Sequence, residues 1–197
     1  MHGIVHKTLK EYVVTHTDDD TWDTVVEQAR VEPTLYLPVS HYDDTEIDAV
    51  LESLAAMATQ SRRQIERDFG RTLAPELVST FSAHVRSDWG LVDLLVRLEE
   101  ITAAVEEATD ETALPNLSCR FDDDAETDVE PAEVDAGECD ELFVTYRSHR
   151  DYCGLAHGIL EGLVAATDAD ATVTEDTCVH DDDADADEAC TFRIALE

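Results

Sequence analysis

The residues best suited to chemistry lie in "ELFVTYRSHRDYC", 141–153, a run that otherwise reads as a buried strand. Tyr146, Ser148 and Arg150 sit two apart, and a period of two puts their side chains on one face. A phenol, a hydroxyl and a guanidinium in a row make an edge that can grip an anion. Arg150 offers a planar fork of donors that matches a carboxylate, and its charge does not titrate. Tyr146 and Ser148 add O–H donors, and each charge-assisted bond shielded from water contributes roughly 1.5–3 kcal/mol. Chance polar alternation, or an internal Arg–Asp pair, would read the same way in isolation.

A second group is Cys153, Cys178, His180 and Cys190. Cys178 ends one expected strand and Cys190 opens its hairpin partner, while a preceding helix can carry Cys153 to both. Three thiolates and an imidazole suit a tetrahedral structural zinc, with Glu175 as an alternative fourth ligand to His180. Reduced cysteines without a metal are the other reading. Cys119 reads as a strand residue and Cys139 as a loop thiol. No acid–base pair or activated nucleophile is visible, so the expectation is a protein that is not an enzyme.

The elements that position these groups follow from periodicity. The front half is helical: Asp20 and Thr21 offer caps before "WDTVVEQAR", and Thr45 precedes a helix burying Ile47, Val50, Leu51, Leu54 and Met57. A short helix ends at Gly70, and Pro75 sits near the start of the next. The longest stripe, Leu91, Leu94, Leu95, Leu98, Thr102 and Val105, predicts one helix over 89–108 with Thr102 facing inward. After Pro115, "NLSCRF" and "ELFVTYRSH" predict two antiparallel strands around the acidic loop 122–140. A helix over 150–166 and two strands, 171–178 and 190–197, complete the chain. The expected class is α+β, a helical N-terminal lobe (about 1–65) packed on a C-terminal lobe (about 66–197) with an antiparallel sheet and helices, within one domain.

Composition narrows the partners. The chain has 197 residues, 43% of them hydrophobic, enough for a sizeable core. Thirteen Lys and Arg stand against 47 Asp and Glu, a net charge of −34. Such a surface repels nucleic acid and anionic membranes. It resembles proteins of salt-accumulating halophiles, where a Debye length of about 3 Å at 1 M screens self-repulsion. No long apolar span or signal peptide is expected, which implies a cytoplasmic protein. Five cysteines, an odd number, argue against a disulfide framework.

The order of motifs resembles the heme nitric oxide/oxygen binding (H-NOX) family along the whole chain. "MHGIV", "FGRTLAPELV", "LPNLSCRF", "YRSHR" and "HGILEGL" carry the likeness, and "YRSHR" matches the family's Tyr-x-Ser-x-Arg motif. The resemblance implies that Tyr146, Ser148 and Arg150 hold the propionates of a heme. It implies a sensor acting on a signalling partner such as a histidine kinase, cyclase or transducer, and a zinc site like that at the cysteines of some members. One position departs. The family's proximal histidine closes a context like "LDEVH"; this chain has "LEEIT", so Thr102 occupies the ligand position, and no histidine lies between His84 and His149. A threonine hydroxyl is a poor iron ligand. Three outcomes stand open: no heme, heme held by its propionates and pocket walls, or a different tetrapyrrole or small anion. His157 and His6 are candidate substitute ligands. His149 alternates away from the motif face, and His2, His16, His41 and His84 read as surface or packing residues.

Overall fold

The computed structural model describes residues 2–32, 34–38, 40–109, 116–121, 140–148, 151–179 and 189–197. Cys139, His149, Arg150, His180, Pro115 and most of the acidic loop after residue 121 lie outside the described residues. Seven helices and four strands are found among them: α1 Gly3–His16, α2 Asp19–Ala29, α3 Asp44–Met57, α4 Arg62–Thr80, α5 Leu91–Val96, α6 Leu98–Thr109, β1 Asn116–Arg120, β2 Glu141–Arg147, α7 Cys153–Ala166, β3 Ala171–Thr177 and β4 Cys190–Leu196. The strands form one antiparallel sheet in the order β1-β2-β4-β3. The fold is α+β.

Helices α2 and α3 are capped by Asp18 and Asp43, each two residues before an expected capping position, Asp20 and Thr45. Asp18 caps α2, its Oδ1 accepting from the Thr21 N–H and hydroxyl at 2.7 Å each. Asp43 caps α3, accepting from the Thr45 N–H at 2.9 Å and its hydroxyl at 2.8 Å. The threonines thus act as donors to a carboxylate that takes two bonds at once. Ser61 opens α4 with a capping box to Gln64.

Two breakers do not break. Helix α4 runs through Gly70 and Pro75 as one element. Gly70 is small because α7 passes there: a Cβ would come 2.5 Å from the Leu155 carbonyl oxygen and 2.8 Å from the Ile159 nitrogen. From α7, a Cβ at Gly154 would meet the Arg63 carbonyl at 2.6 Å and one at Gly162 the Arg71 carbonyl at 2.8 Å, while one at Gly158 would overlap the Arg67 carbonyl. The two helices touch backbone to backbone. Arginines bolt the seam: Arg67 Nε and Arg71 Nε reach Glu161 Oε2 on α7 at 2.9 and 2.8 Å. Arg62 bonds Asp48 of α3 at 2.6 Å and Glu66 of its own helix at 2.8 Å, and Arg63 pairs with Glu175 of β3.

The single long helix expected over 89–108 is two. Arg97 leaves the helical conformation (φ −106°, ψ 12°) between α5 and α6. Its guanidinium turns back to Asp93, bonding the carbonyl at 3.1 Å and the carboxylate at 3.0 Å, and lies 4.9 Å from the Trp89 ring centroid. The apolar stripe nevertheless continues, with Leu91, Leu94, Leu95 and Val105 buried and Leu98 and Thr102 half-buried. No helix among the described residues is long and apolar enough to cross a membrane.

Gly158→Ala should lower stability by about 1–3 kcal/mol, because the backbone seam cannot admit a methyl. Gly90→Ser, at an open N-cap, should be neutral within about 0.5 kcal/mol; urea melts in molar KCl compare the two. Burial works to raise the Glu161 carboxyl, but its bonds to Arg67 and Arg71 override this and hold it at about 2, down from 4.5. The stability it contributes is therefore complete above pH 4.5 and lost as pH falls toward 2. Glu161→Gln should flatten the acid limb of the stability curve in that window, which a pH series of melts would reveal.

Candidate functional site

Register places the motif. Tyr146 lies opposite Leu117 of β1 and Cys190 of β4, and Val144 opposite Cys119 and Phe192, so these side chains share one face with Leu142 and Ile194. That face is covered by α7, whose Cys153 meets Cys190 and whose His157 ring lies 5.4 Å from that of Phe192. Ser148 follows directly on the end of β2, half-buried, near enough to the Tyr146 phenol to favour its ionised form. Burial pushes the phenol up to about 12; Ser148 opposes this, and the Cys153, Cys190 and Glu66 groups add to it. Tyr146 therefore stays a protonated donor, as the expected carboxylate role requires.

Glu66, not singled out in the sequence, belongs to this neighbourhood. It is 2% exposed and its Oε2 faces Gly154 at the start of α7. Burial raises its carboxyl, against the hydrogen bond and charge of Arg62, which pull it down. Its signal was available: on α4 it falls one turn before Gly70 and beside Ile65, on the inner stripe with Phe69 and Leu73.

Thr102 offers its hydroxyl to its own helix, donating to the Leu98 carbonyl at 2.8 Å and the Glu99 carbonyl at 3.0 Å. The O–H is thereby spent inside α6. Tyr146 and Ser148 have the chemistry to hold a carboxylate-bearing cofactor, whereas Thr102 does not have that of an axial ligand. The two substitute histidines are engaged elsewhere. His157 is buried against the sheet with Nε2 3.4 Å from the Val173 carbonyl, and burial and then Arg67 lower its pKa. His6 is 2% exposed between the rings of Tyr36 and Tyr42.

The thiols converge as expected. Cys153 Sγ lies 2.8 Å from Cys190 Sγ, which lies 3.7 Å from Cys178 Sγ, and all three are buried. The three sulfurs fall within 4.8 Å of one another; the 3.7 Å Cys178–Cys190 separation matches the edge of about 3.8 Å that a tetrahedron of 2.3 Å Zn–S bonds requires, whereas the 2.8 Å Cys153–Cys190 contact is shorter and would have to open. Hydrogen bonding to Cys190, burial and the neighbouring sulfurs push the Cys153 thiol well above its ordinary range. A metal would have to displace those protons. Glu175 is outside the trio and paired with Arg63, whose guanidinium also lies near the thiols.

Comparison with known proteins gives the family and the fold. The family model described as "Haem-NO-binding" matches residues 2–130. The chain belongs to that family. The fold is also that of solved H-NOX structures. A triple variant of an H-NOX protein from S. oneidensis in the Fe(II) state has a TM-score of 0.81 at 21% identity, covering 100% of this chain and 96% of that one. The S. oneidensis protein in the Fe(II)NO state gives 0.81 at 19% identity, with 100% and 99% covered. A Cs H-NOX variant carrying 4-cyano-L-phenylalanine gives 0.79 at 18%, with 100% and 97% covered. At these identities the structures speak for the fold alone. No curated protein sequence matches the chain.

Proposed function

We propose that this Haem-NO-binding family chain is a sensor module that takes heme or a related tetrapyrrole by its carboxylates, without an axial bond from Thr102. The observation that carries this is Tyr146, a buried phenol held protonated on the face walled by α7, with Ser148 directly beyond the end of β2. Tyr146 and Ser148 donate to the carboxylates, and Arg150 supplies the fixed positive charge. In a chain of net charge −34 that charge has to be close and shielded to count. Heme, when bound, supplies an iron able to take diatomic gases. Output goes to a signalling partner such as a histidine kinase, cyclase or transducer.

The Thr102 hydroxyl, committed to Leu98 and Glu99, favours a second reading: a heme-free interaction module that keeps the fold and regulates such a partner. An absorption spectrum of protein made with ample heme precursor and purified in molar KCl separates the two. The first reading expects a Soret band, with heme affinity in a hemin titration falling at least about tenfold with Arg150→Ala, as a loss of 1.5–3 kcal/mol implies. Thr102→His should shift that band to an imidazole-ligated form. A folded protein with no band, even after added hemin, selects the second reading.

We also propose that Cys153, Cys178 and Cys190 hold a structural zinc, with His180 or Glu175 completing the set. The buried convergence of three sulfurs supports it. Metal analysis after zinc loading should give about one equivalent per chain, abolished by Cys190→Ser. Equal zinc in both proteins would count against the site.

A further inference from the structure

The connection between α2 and α3 is strapped to the first turn of α1 by histidines. Gly3 N–H donates to the Ser40 carbonyl at 2.6 Å, and a Cβ at Gly3 would meet that carbonyl at 2.8 Å and the Tyr42 ring at 2.9 Å. His2 forms a β-bridge with His41, their ring centroids 5.5 Å apart, while His2 Nδ1 accepts from the Ile4 N–H at 3.4 Å and so caps α1. His6, one turn on, places Nε2 3.3 Å from the Asp43 carbonyl. The Tyr36 and Tyr42 rings close over it at 5.0 and 5.2 Å. Tyr42 ties the strap to itself, accepting from the Leu37 N–H at 2.8 Å and donating to the Leu35 carbonyl at 3.3 Å. Leu35 and Leu37 are held outward, 82% and 50% exposed.

The bond to Asp43 fixes the tautomer. A carbonyl only accepts, so Nε2 carries the proton and Nδ1 is bare. That Nδ1 is buried with no hydrogen-bond partner. The nearby His2 carbonyl already accepts from the Val5 N–H at 3.0 Å. A second proton would place a cation on an interior nitrogen whose nearby acceptor, the His2 carbonyl, is shared with that N–H. At His2, protonation of Nδ1 removes the lone pair that caps α1, and the charge faces His41 and the chain's α-amino group.

We propose that the strap over residues 34–38 and 40–43 is a proton-operated latch, closed while His6 is neutral and released when His6 is protonated, with His2 reinforcing the release. The groups around His6 are Asp43, Glu46, Tyr36, Tyr42, His2 and the α-amino group. Glu46, its Oε2 3.9 Å from His6 Nε2 and 32% exposed, favours the cation but also accepts from the Tyr36 hydroxyl at 3.4 Å. Burial outweighs the pull of the Asp43 and His2 carbonyls and lowers His6 from 6.5 to about 4. A folded value below the unfolded one means the closed state binds fewer protons. Its stability is complete above about pH 6.5 and lost as pH falls through about 4.

Hydrogen exchange on the full chain in molar KCl tests this. After correction for intrinsic rates, strap amides should open about 30-fold more at pH 5 than at pH 7.5, while α4 and α7 amides hold. His6→Phe, an aromatic that cannot be protonated, should reduce the change to under about threefold. If that variant does not fold, wild-type imidazole NMR serves: His6 and the strap amides should titrate with one shared midpoint. Unchanged strap protection down to pH 4.5, an equal response in His6→Phe, separate midpoints, or loss of protection in α4 and α7 together with the strap would each overturn the latch.

Discussion

The rest of the structure depends on two helices approaching until their backbones touch. Gly70 from α4 and Gly154, Gly158 and Gly162 from α7 leave no room for a Cβ of their own at the seam. At that spacing backbone carbonyls and Cα atoms lie against the glycines, and dispersion over the contact takes the place of much side-chain interdigitation. The seam fixes where α7 begins. Its first residue, Cys153, is thereby set against Cys190 at the start of β4, and Gly154 against the Glu66 carboxylate. The thiol cluster and the buried end of β2 are both consequences of one glycine-lined contact.

Much of this was legible in the amino-acid order. Period-two alternation marked β2, and the register with β4 places Leu142, Val144 and Tyr146 on a buried face. The hairpin of Cys178 and Cys190 followed from two strands joined by an acidic turn. What failed did so for specific reasons. Gly70 and Pro75 read as punctuation because local propensity cannot see a neighbouring helix that demands a missing Cβ. The break at Arg97 was hidden because the apolar stripe runs unbroken through it; the cause is a side chain that prefers Asp93 and Trp89 to the helical path. Glu66 was passed over because it is one of 47 acids in the chain.

Thr102 illustrates the difference between facing and reaching. The stripe put it on the inner side of its helix, and it is half-buried there. Its hydroxyl nonetheless closes on carbonyls one turn back, as a threonine within a helix tends to do. A longer side chain at that position would project past the backbone and into the space beyond it.

The arginines of α4 have a further consequence. Four of the chain's thirteen cations stand on this one helix, and their acids come from α3, from β3 and from α7 as well as from α4 itself. Contact pairs at these separations are shorter than the screening length of even a molar electrolyte, about 3 Å, whereas the mutual repulsion of 47 carboxylates acts over much greater distances. Adding salt therefore silences the repulsion first and the attraction last. In dilute buffer the charges of this protein work to expand it; in brine the same charges hold it together.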